Sequence, residues 1–205
     1  MKLLHIDSSI LSDNSVSRQL TQAIVDHWRQ NYPDLEITYR DLAVEAPSHL
    51  SAEILGAGFI DPQEHSPLQR NESAFGETLL EEFLAADVIV LGAPMYNFSI
   101  PSQLKSWLDR VLVRGRTFQY TESGPVGLAG GKKAVIVSSR GGIYGEGSPA
   151  RVMDHQESYL KTVLGFAGIT DVSVIRAEGV NMPEKREQAI AAAHKQIRSL
   201  LKAAA

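Results

Sequence analysis

The sequence contains no cysteine among its 205 residues, and that absence excludes several kinds of chemistry at once. Without a thiol the chain can form no disulfide, no thiolate nucleophile, no iron–sulfur cluster and no cysteine-bound zinc site. The six histidines are scattered and form no spaced cluster with acidic residues, so we expect no metal site. Any redox chemistry must therefore come from a bound cofactor.

The chain also lacks a strong excess of one charge and long hydrophobic runs. The 20 Lys and Arg against 24 Asp and Glu give a net charge of −4, with no basic cluster that could neutralise the phosphates of a nucleic acid. No apolar run approaches the ~18 residues of a membrane span. Asp7 interrupts the first apolar run before the apolar region of a signal peptide is complete. We therefore expect a cytoplasmic protein with neither nucleic acid nor membrane as a partner.

The composition is otherwise that of a globular protein, with 43% hydrophobic and 21% charged residues, which suits one domain over residues 1–205. Short apolar, β-branched runs alternate with stretches of helical periodicity, a pattern typical of an α/β domain with a parallel sheet. The third and fourth runs are apolar throughout, as central strands are, whereas the second alternates and suits an edge. The five predicted strands cover residues 2–6, 36–40, 88–93, 134–138 and 172–177.

Helical periodicity fills most of the remaining chain. Five helices are predicted. Four cover residues 17–31, 73–86, 159–164 and 183–202, and the fifth begins near Pro101. Two stretches lack this periodicity. Residues 43–72 are predicted as loop and short helices, and residues 115–131 as an excursion that could cover a site.

Ligands of an open parallel sheet bind beyond the carboxyl ends of its strands, so the loops that follow the first, third and fourth strands should converge. The first loop, residues 7–17, carries five serines and leads into a helix, whose first amides have no partner within the helix. This composition predicts a phosphate monoester site, although ordinary capping of the helix explains it equally well. The predicted donors are the hydroxyls of Ser9, Ser15 and Ser17 and the amides of Val16 and Ser17.

The other two loops favour a flat ligand. The second places Met95, Tyr96 and Phe98 in a short stretch between prolines, which exposes apolar area unless a planar group, a neighbouring helix or a subunit partner covers it. The third contains Gly141 and Gly142, which would let the backbone approach a ligand closely, although glycines also occur in ordinary turns.

Three motifs each follow a different strand: Ser8-Ser9 with Ser15-Val16-Ser17, Pro94-Met95-Tyr96-Asn97-Phe98, and Ser139-Arg140-Gly141-Gly142. Together they resemble the flavin-dependent azoreductases, which belong with the quinone reductases in the flavodoxin-like fold. The resemblance covers the whole chain and implies a three-layer sandwich, with a five-stranded parallel sheet in the order 2-1-3-4-5 and helices on both faces. One departure is Tyr144, where relatives carry a histidine near the pyrimidine edge of the flavin.

The resemblance implies an enzyme that uses flavin mononucleotide (FMN) and is reduced by NADH, or by NADPH. It would reduce flat aromatic acceptors, azo compounds to amines and quinones to hydroquinones, by alternating use of one site. The residues suit this cofactor, with the backbone of Asn97 near the flavin N5 and the amides of Gly141 and Gly142 at the edge that collects negative charge on reduction. No side chain is predicted to be catalytic, because the flavin carries the hydride.

The family is typically homodimeric, with each flavin at the subunit interface. Phe118 and Tyr120 from the excursion are therefore predicted to line the substrate site, with local packing inside one subunit as an equal alternative. Two other classes of function stay open. A flavodoxin-type electron carrier would also bind FMN but would turn over poorly with NADH, and a receiver or binding module would bind no flavin.

Overall fold

The computed structural model describes residues 1–203, with side chains as far as Leu200; Ala204 and Ala205, which the predicted domain includes, lie outside the described residues. The strands within this range are β1 (Lys2–Asp7), β2 (Glu36–Asp41), β3 (Val88–Pro94), β4 (Phe118–Thr121), β5 (Gly124–Gly127), β6 (Lys133–Arg140) and β7 (Asp171–Glu178). The α-helices are α1 (Val16–Asn31), α2 (Ala52–Gly56), α3 (Pro67–Ala85), α4 (Ser102–Val111), α5 (Glu157–Phe166) and α6 (Pro183–Ala203).

Five of the strands form one parallel sheet in the order β2-β1-β3-β6-β7. This is the predicted order, since β4 and β5 form a separate two-stranded sheet and only change the numbering. Each predicted strand is present and is one to three residues longer than expected. The apolar strands β3 and β6 lie inside the sheet and the alternating β2 lies at its edge, as predicted.

Helices cover both faces of the sheet, because alternate side chains of each strand point to opposite faces. Leu3, Val88 and Val90 pack with residues of α1 and α6 on one face. Leu4 and Ile89, one residue along on the same strands, pack with residues of α3, α4 and α5 on the other. Fully burying one such aliphatic side chain contributes roughly 1.5–3 kcal/mol. Among residues 1–203, no helix is both long and apolar enough to cross a membrane.

Helix α3 begins at Pro67, six residues before the predicted start. Ser66 and Gln69 form a capping box there, in which each side chain accepts from the other residue's backbone amide, and Pro67 occupies a position at the helix start where its missing amide costs nothing. The apolar periodicity begins only later in the helix, and this is why periodicity alone placed the boundary too late.

The hairpin β4–β5 was not predicted, because each strand has only four residues and the second, Gly-Pro-Val-Gly, shows no alternation. It lies between the end of α4 and the start of β6, at the amino edge of the sheet and opposite the ligand-binding edge. The amide of Ala129 donates to the carbonyl of Ala167 at 2.8 Å, and a Cβ on Gly127 would lie 2.1 Å from the backbone nitrogen of Gly168. These contacts attach the hairpin to the C-terminal end of α5.

Candidate active site at the carboxyl edge of the sheet

The three loops meet at the carboxyl edge of the sheet, and direct hydrogen bonds join them. The hydroxyl of Tyr96 lies 3.3 Å from the hydroxyl of Ser9 and accepts from the amide of Ile10 at 3.2 Å, which connects the first and second loops. The amide of Met95 donates to the carbonyl of Ser139 at 2.8 Å, which connects the second and third. The structure therefore brings the three predicted motifs to one place.

In the first loop, Ser15 is the N-cap of α1, and its hydroxyl accepts from the amide of Arg18 at 3.3 Å. The Ser17 hydroxyl lies 3.0 Å from that of Ser15, and Ser9 and both of these serines are buried. Since the helix begins at Val16, the amides of Val16 and Ser17 have no carbonyl one turn earlier to bond. Capping and anion binding are thus compatible, because a capping hydroxyl still has its own hydrogen to donate.

Arg18 fixes the first loop from behind, a role that the sequence motifs did not indicate. Its guanidinium donates to the carbonyl of Ser9 at 2.8 Å and to both carboxylate oxygens of Asp41, at 2.6 and 2.7 Å. Burial favours the neutral form of Asp41, but the hydrogen bonds and charge of Arg18, together with hydrogen bonds from the amides of Ala43 and Val44, hold the pKa of this carboxyl below its usual range. Burial, reinforced by the charges of Asp7 and Asp41, raises the pKa of the neighbouring Tyr39 to about 12.

The second loop makes a tight turn in which Asn97 and Phe98 both have positive φ, at 47° and 73°. The amides of Tyr96 and Ser99 each donate to the other residue's carbonyl across the turn, at 2.9 and 3.1 Å. Asparagine tolerates this conformation, but for a bulky residue such as Phe98 it is strained by roughly 1–3 kcal/mol. The turn holds the Phe98 ring 42% exposed, so the chain maintains both strain and apolar exposure at this position.

In the third loop, the backbone carbonyls of residues 140–142 are hydrogen-bonded, whereas the amides of Gly141 and Gly142 are not, within the part of the chain that the structure describes. The carbonyls of residues 140, 141 and 142 accept from Val180, Asn181 and Gly179 at 3.0, 3.2 and 2.9 Å. The amides of Gly141 and Gly142 donate no hydrogen bond within residues 1–203. A Cβ on Gly142 would lie 3.2 Å from the Tyr144 ring, so a side chain there would push against that ring. Two backbone donors of this loop therefore have no acceptor among the described residues and are available to a ligand.

Arg140, predicted as a cofactor-binding residue, has a fully buried side chain that is occupied by other partners. Its guanidinium lies 2.8 Å from Asp154, 2.6 Å from Glu157 and 3.2 Å from Glu178. Because the Arg140 side chain has no exposed surface, its guanidinium does not contact the ligand-binding space. What it can contribute is the fixed position of the loop that follows it.

Gln156 is a further buried member of this cluster. Gln156 donates to the carbonyl of Ala93 at 2.7 Å and accepts from Ser138 at 2.8 Å, which ties the ends of β3 and β6 together. Burial alone would raise the pKa of Glu157, but hydrogen bonds from Arg176 and the charge of Arg140 hold it below its usual range.

Phe118 and Tyr120 do not join this site within one chain. Phe118 packs against Phe166 at the end of α5, with ring centroids 4.6 Å apart, and Tyr120 is 61% exposed on the hairpin. A groove of about 650 Å³ lies closer to the loops, between the first turns of α4 and α5, with Ile100, Lys105 and His155 among its lining residues. Within residues 1–203, no group of three or more metal-binding side chains is present.

The parallel sheet and the three loops at its carboxyl edge are typical of flavodoxin-like proteins. Comparison with known proteins agrees, because the family described as "Flavodoxin-like fold" matches residues 1–201. The chain belongs to that family. Within it, the "FMN-dependent NADH:quinone oxidoreductase" of Polaromonas naphthalenivorans is 58% identical over 196 residues, 94% of this chain and 89% of its own. The "FMN-dependent NADH:quinone oxidoreductase 2" of Pseudomonas aeruginosa is 59% identical over 198 residues, 96% of both chains.

Among solved structures, an azoreductase from Bacillus anthracis strain Sterne superposes with a TM-score of 0.88 at 28% identity and covers 98% of both chains. The predicted resemblance to the azoreductases and quinone reductases is confirmed by these relatives.

Replacing Glu157 with glutamine should destabilise the chain by about 1.5–3 kcal/mol at pH 7, because Arg140 and Arg176 lose a counter-charge that is only 7% exposed. The folded-state pKa of Glu157 lies below that of an unfolded glutamate. The contribution of Glu157 to stability is therefore fully present above the unfolded-state pKa and is lost as the pH falls through the folded-state pKa. Urea unfolding at pH 7 and pH 3 measures both effects.

Glu187→Gln, an identical change on the exposed face of α6, serves as the control and should alter stability by less than about 0.5 kcal/mol. A difference between wild type and Glu157→Gln that stays as large at pH 3 as at pH 7 would contradict the assigned role of the carboxylate.

Proposed function

We propose that the chain is an FMN-dependent oxidoreductase that transfers two electrons from NADH, or from NADPH, to quinones and azo compounds. The observation that carries this proposal is the meeting, at one sheet edge, of a hydroxyl-lined helix start, an exposed aromatic turn and a pair of free glycine amides. Flavin mononucleotide has a phosphate, a flat ring and a polar ring edge to match these three features. The named activities of the relatives support the same choice.

The phosphate would be held by neutral donors. The positive charge of Arg18 is already neutralised by Asp41, so the hydroxyls and helix amides provide the interaction together with the partial charge at the start of α1. The residues proposed for this role are Ser9, Ser15, Val16 and Ser17.

The ring would lie against the second loop and reach the third with its pyrimidine edge. The strained turn at Asn97 and Phe98 presents backbone and an aromatic face together, and the amides of Gly141 and Gly142 would stabilise negative charge at the edge. Tyr144 packs edge-on to Phe98, with centroids 6.2 Å apart, and would border the same end of the ring. Pro94, Met95, Tyr96 and Ser139 complete the proposed ring-binding set, with Arg140 contributing through its position.

When bound, FMN supplies the hydride-accepting and hydride-donating chemistry. The chain's own residues bind the coenzyme, orient its ring and leave one face open. A single open face suits NADH and a flat acceptor that occupy it in turn, so we propose ping-pong kinetics.

We also propose a homodimer. The exposed rings of Phe98 and Tyr120, and the open groove between α4 and α5, form surface that a second copy could cover. Phe118 and Tyr120 would then line the substrate site of the partner rather than of their own chain. A cytoplasmic location, where NADH is regenerated, fits the activity, and the net charge of −4 favours neither nucleic acid nor an anionic membrane as a partner.

The proposed activity is tested by reduction of the purified protein. It should be yellow, lose that colour with NADH in the absence of oxygen, and regain it on addition of a quinone. Initial rates at several NADH concentrations should give parallel double-reciprocal lines. Colourless protein would contradict flavin binding, and yellow protein that neither NADH nor NADPH bleaches would favour the electron carrier instead.

Removal of two hydroxyls tests the phosphate site. Ser15→Ala combined with Ser17→Ala should raise the FMN dissociation constant by at least about 100-fold, since two hydrogen bonds to a charged group are lost and each contributes roughly 1.5–3 kcal/mol. Ser66→Ala removes the N-cap of the remote helix α3 and controls for lost capping, because it should lower stability by about 1 kcal/mol without changing FMN affinity. Equal FMN affinity in the double variant and in Ser66→Ala would rule out the assigned site.

Sedimentation and kinetics test the dimer. The chain should sediment as a dimer at micromolar concentration, and Tyr120→Ala should raise the KM for a quinone several-fold without changing FMN affinity, because Tyr120 lies away from the loops of its own chain. A monomer, or an unchanged KM in a confirmed dimer, would refute this arrangement.

A further inference from the structure

We infer that Glu178 is a positioning residue, whose carboxylate holds the third loop so that its free amides and the Tyr144 ring meet the edge of the flavin. The inference rests on the proposed function for the identity of the ligand. The contacts that suggest it belong to the protein alone. Neither the sequence motifs nor the proposed ligand contacts include Glu178.

Glu178 is the last residue of β7, directly beside Arg140 in the register of the sheet. Its Oε1 accepts from the amide of Tyr144 at 2.8 Å and lies 3.2 Å from a guanidinium nitrogen of Arg140. A single oxygen therefore connects the loop to the buried cluster behind it. The bond from Tyr144 is charge-assisted, and such bonds are roughly twice as strong as neutral ones.

The other oxygen of the same carboxylate rests against Gly145. A Cβ on Gly145 would stand 2.6 Å from Glu178 Oε2, closer than nonbonded atoms approach. The loop thus wraps around the carboxylate, with an amide on one oxygen and a glycine on the other. This fit gives Gly145 a steric reason to be glycine, since its φ is not in the left-handed region.

The position of Glu178 matters because few other bonds hold this part of the loop. Residues 140–142 are held through their carbonyls, and Ile143 accepts from the Ser148 hydroxyl at 2.7 Å. The amide of Tyr144 bonds only to Glu178 among the described residues. Loss of that bond would free the Tyr144 ring, which otherwise packs beside Gly142 and Phe98.

Removing the carboxylate should leave the fold intact. Arg140 would keep Asp154 and Glu157 as partners, so its buried charge stays paired. The loss is then confined to the loop, and the variant proteins can be compared as folded molecules.

The flavin potential separates positioning from a direct effect of charge. Removing a negative charge near the ring would make reduction easier and raise the midpoint potential. Releasing Tyr144, whose ring packs against Gly142, would loosen the adjoining glycine amides, destabilise the reduced, anionic ring and lower the potential. Glutamine at this position removes only the charge and keeps an oxygen that accepts from Tyr144.

The experiment compares Glu178→Ala, Glu178→Gln and Gly145→Ala, with Glu146→Gln as a charge-matched control on an exposed neighbour. In protein stripped of flavin, hydrogen–deuterium exchange of residues 141–147 should accelerate at least tenfold in Glu178→Ala and Gly145→Ala only. With FMN itself as the probe, these two variants should bind about tenfold more weakly. Their midpoint potential should fall by about 30 mV, equivalent to a further tenfold loss of preference for the reduced flavin.

Wild-type exchange and affinity in Glu178→Gln, with a potential at or above that of the wild type and no change in Glu146→Gln, would support positioning by the hydrogen bond. A potential that rises in Glu178→Ala, or a Glu178→Gln variant as impaired as Glu178→Ala, would overturn it in favour of charge. Unchanged exchange in Glu178→Ala would also overturn it. Failure of wild-type protein to bind FMN would refute the proposed function separately, since the exchange measurement needs no flavin.

Discussion

The buried guanidinium of Arg140 is the constraint around which one half of the ligand-binding edge is arranged. A charge removed from water is tolerated only when it is fully paired, and the partners here come from the segment before α5, from α5 itself and from the end of β7. These three elements must meet at one point for the charge to be satisfied. Arg18 plays the corresponding part on the other side, where Asp41 and the carbonyl of Ser9 bind its guanidinium.

Both arginines have their charge neutralised by carboxylates, and this determines what is left for a ligand. The groups that face the site are hydroxyls, free amides and aromatic rings, all of them uncharged. Such a surface suits a coenzyme whose ring changes charge during turnover. Neutral dipoles stabilise the charged ring without favouring one redox state as strongly as a full charge would. The arginines therefore shape the site without contacting its contents.

Sequence patterns predicted the sheet and the three loops because both depend on local composition and on one topological rule. The partners of Arg140 follow it by 14, 17 and 38 residues, so no local pattern could have paired them. The hairpin was missed because its four-residue strands are too short to establish a pattern. The start of α3, in contrast, was encoded locally by Ser66 and Gln69. Glu178 could have been found, since it directly follows the predicted strand 172–177 at the edge where the loops converge.

The ion pairs of Arg18 and Arg140 lie behind the loops rather than among the atoms that would touch a coenzyme. The binding cleft is consequently preorganised, and an incoming coenzyme has little backbone left to immobilise on association. Departure of the coenzyme likewise breaks none of the ion pairs that hold the loops. Apoprotein and holoprotein should then interconvert without unfolding, which allows the same polypeptide to be reloaded many times over its lifetime.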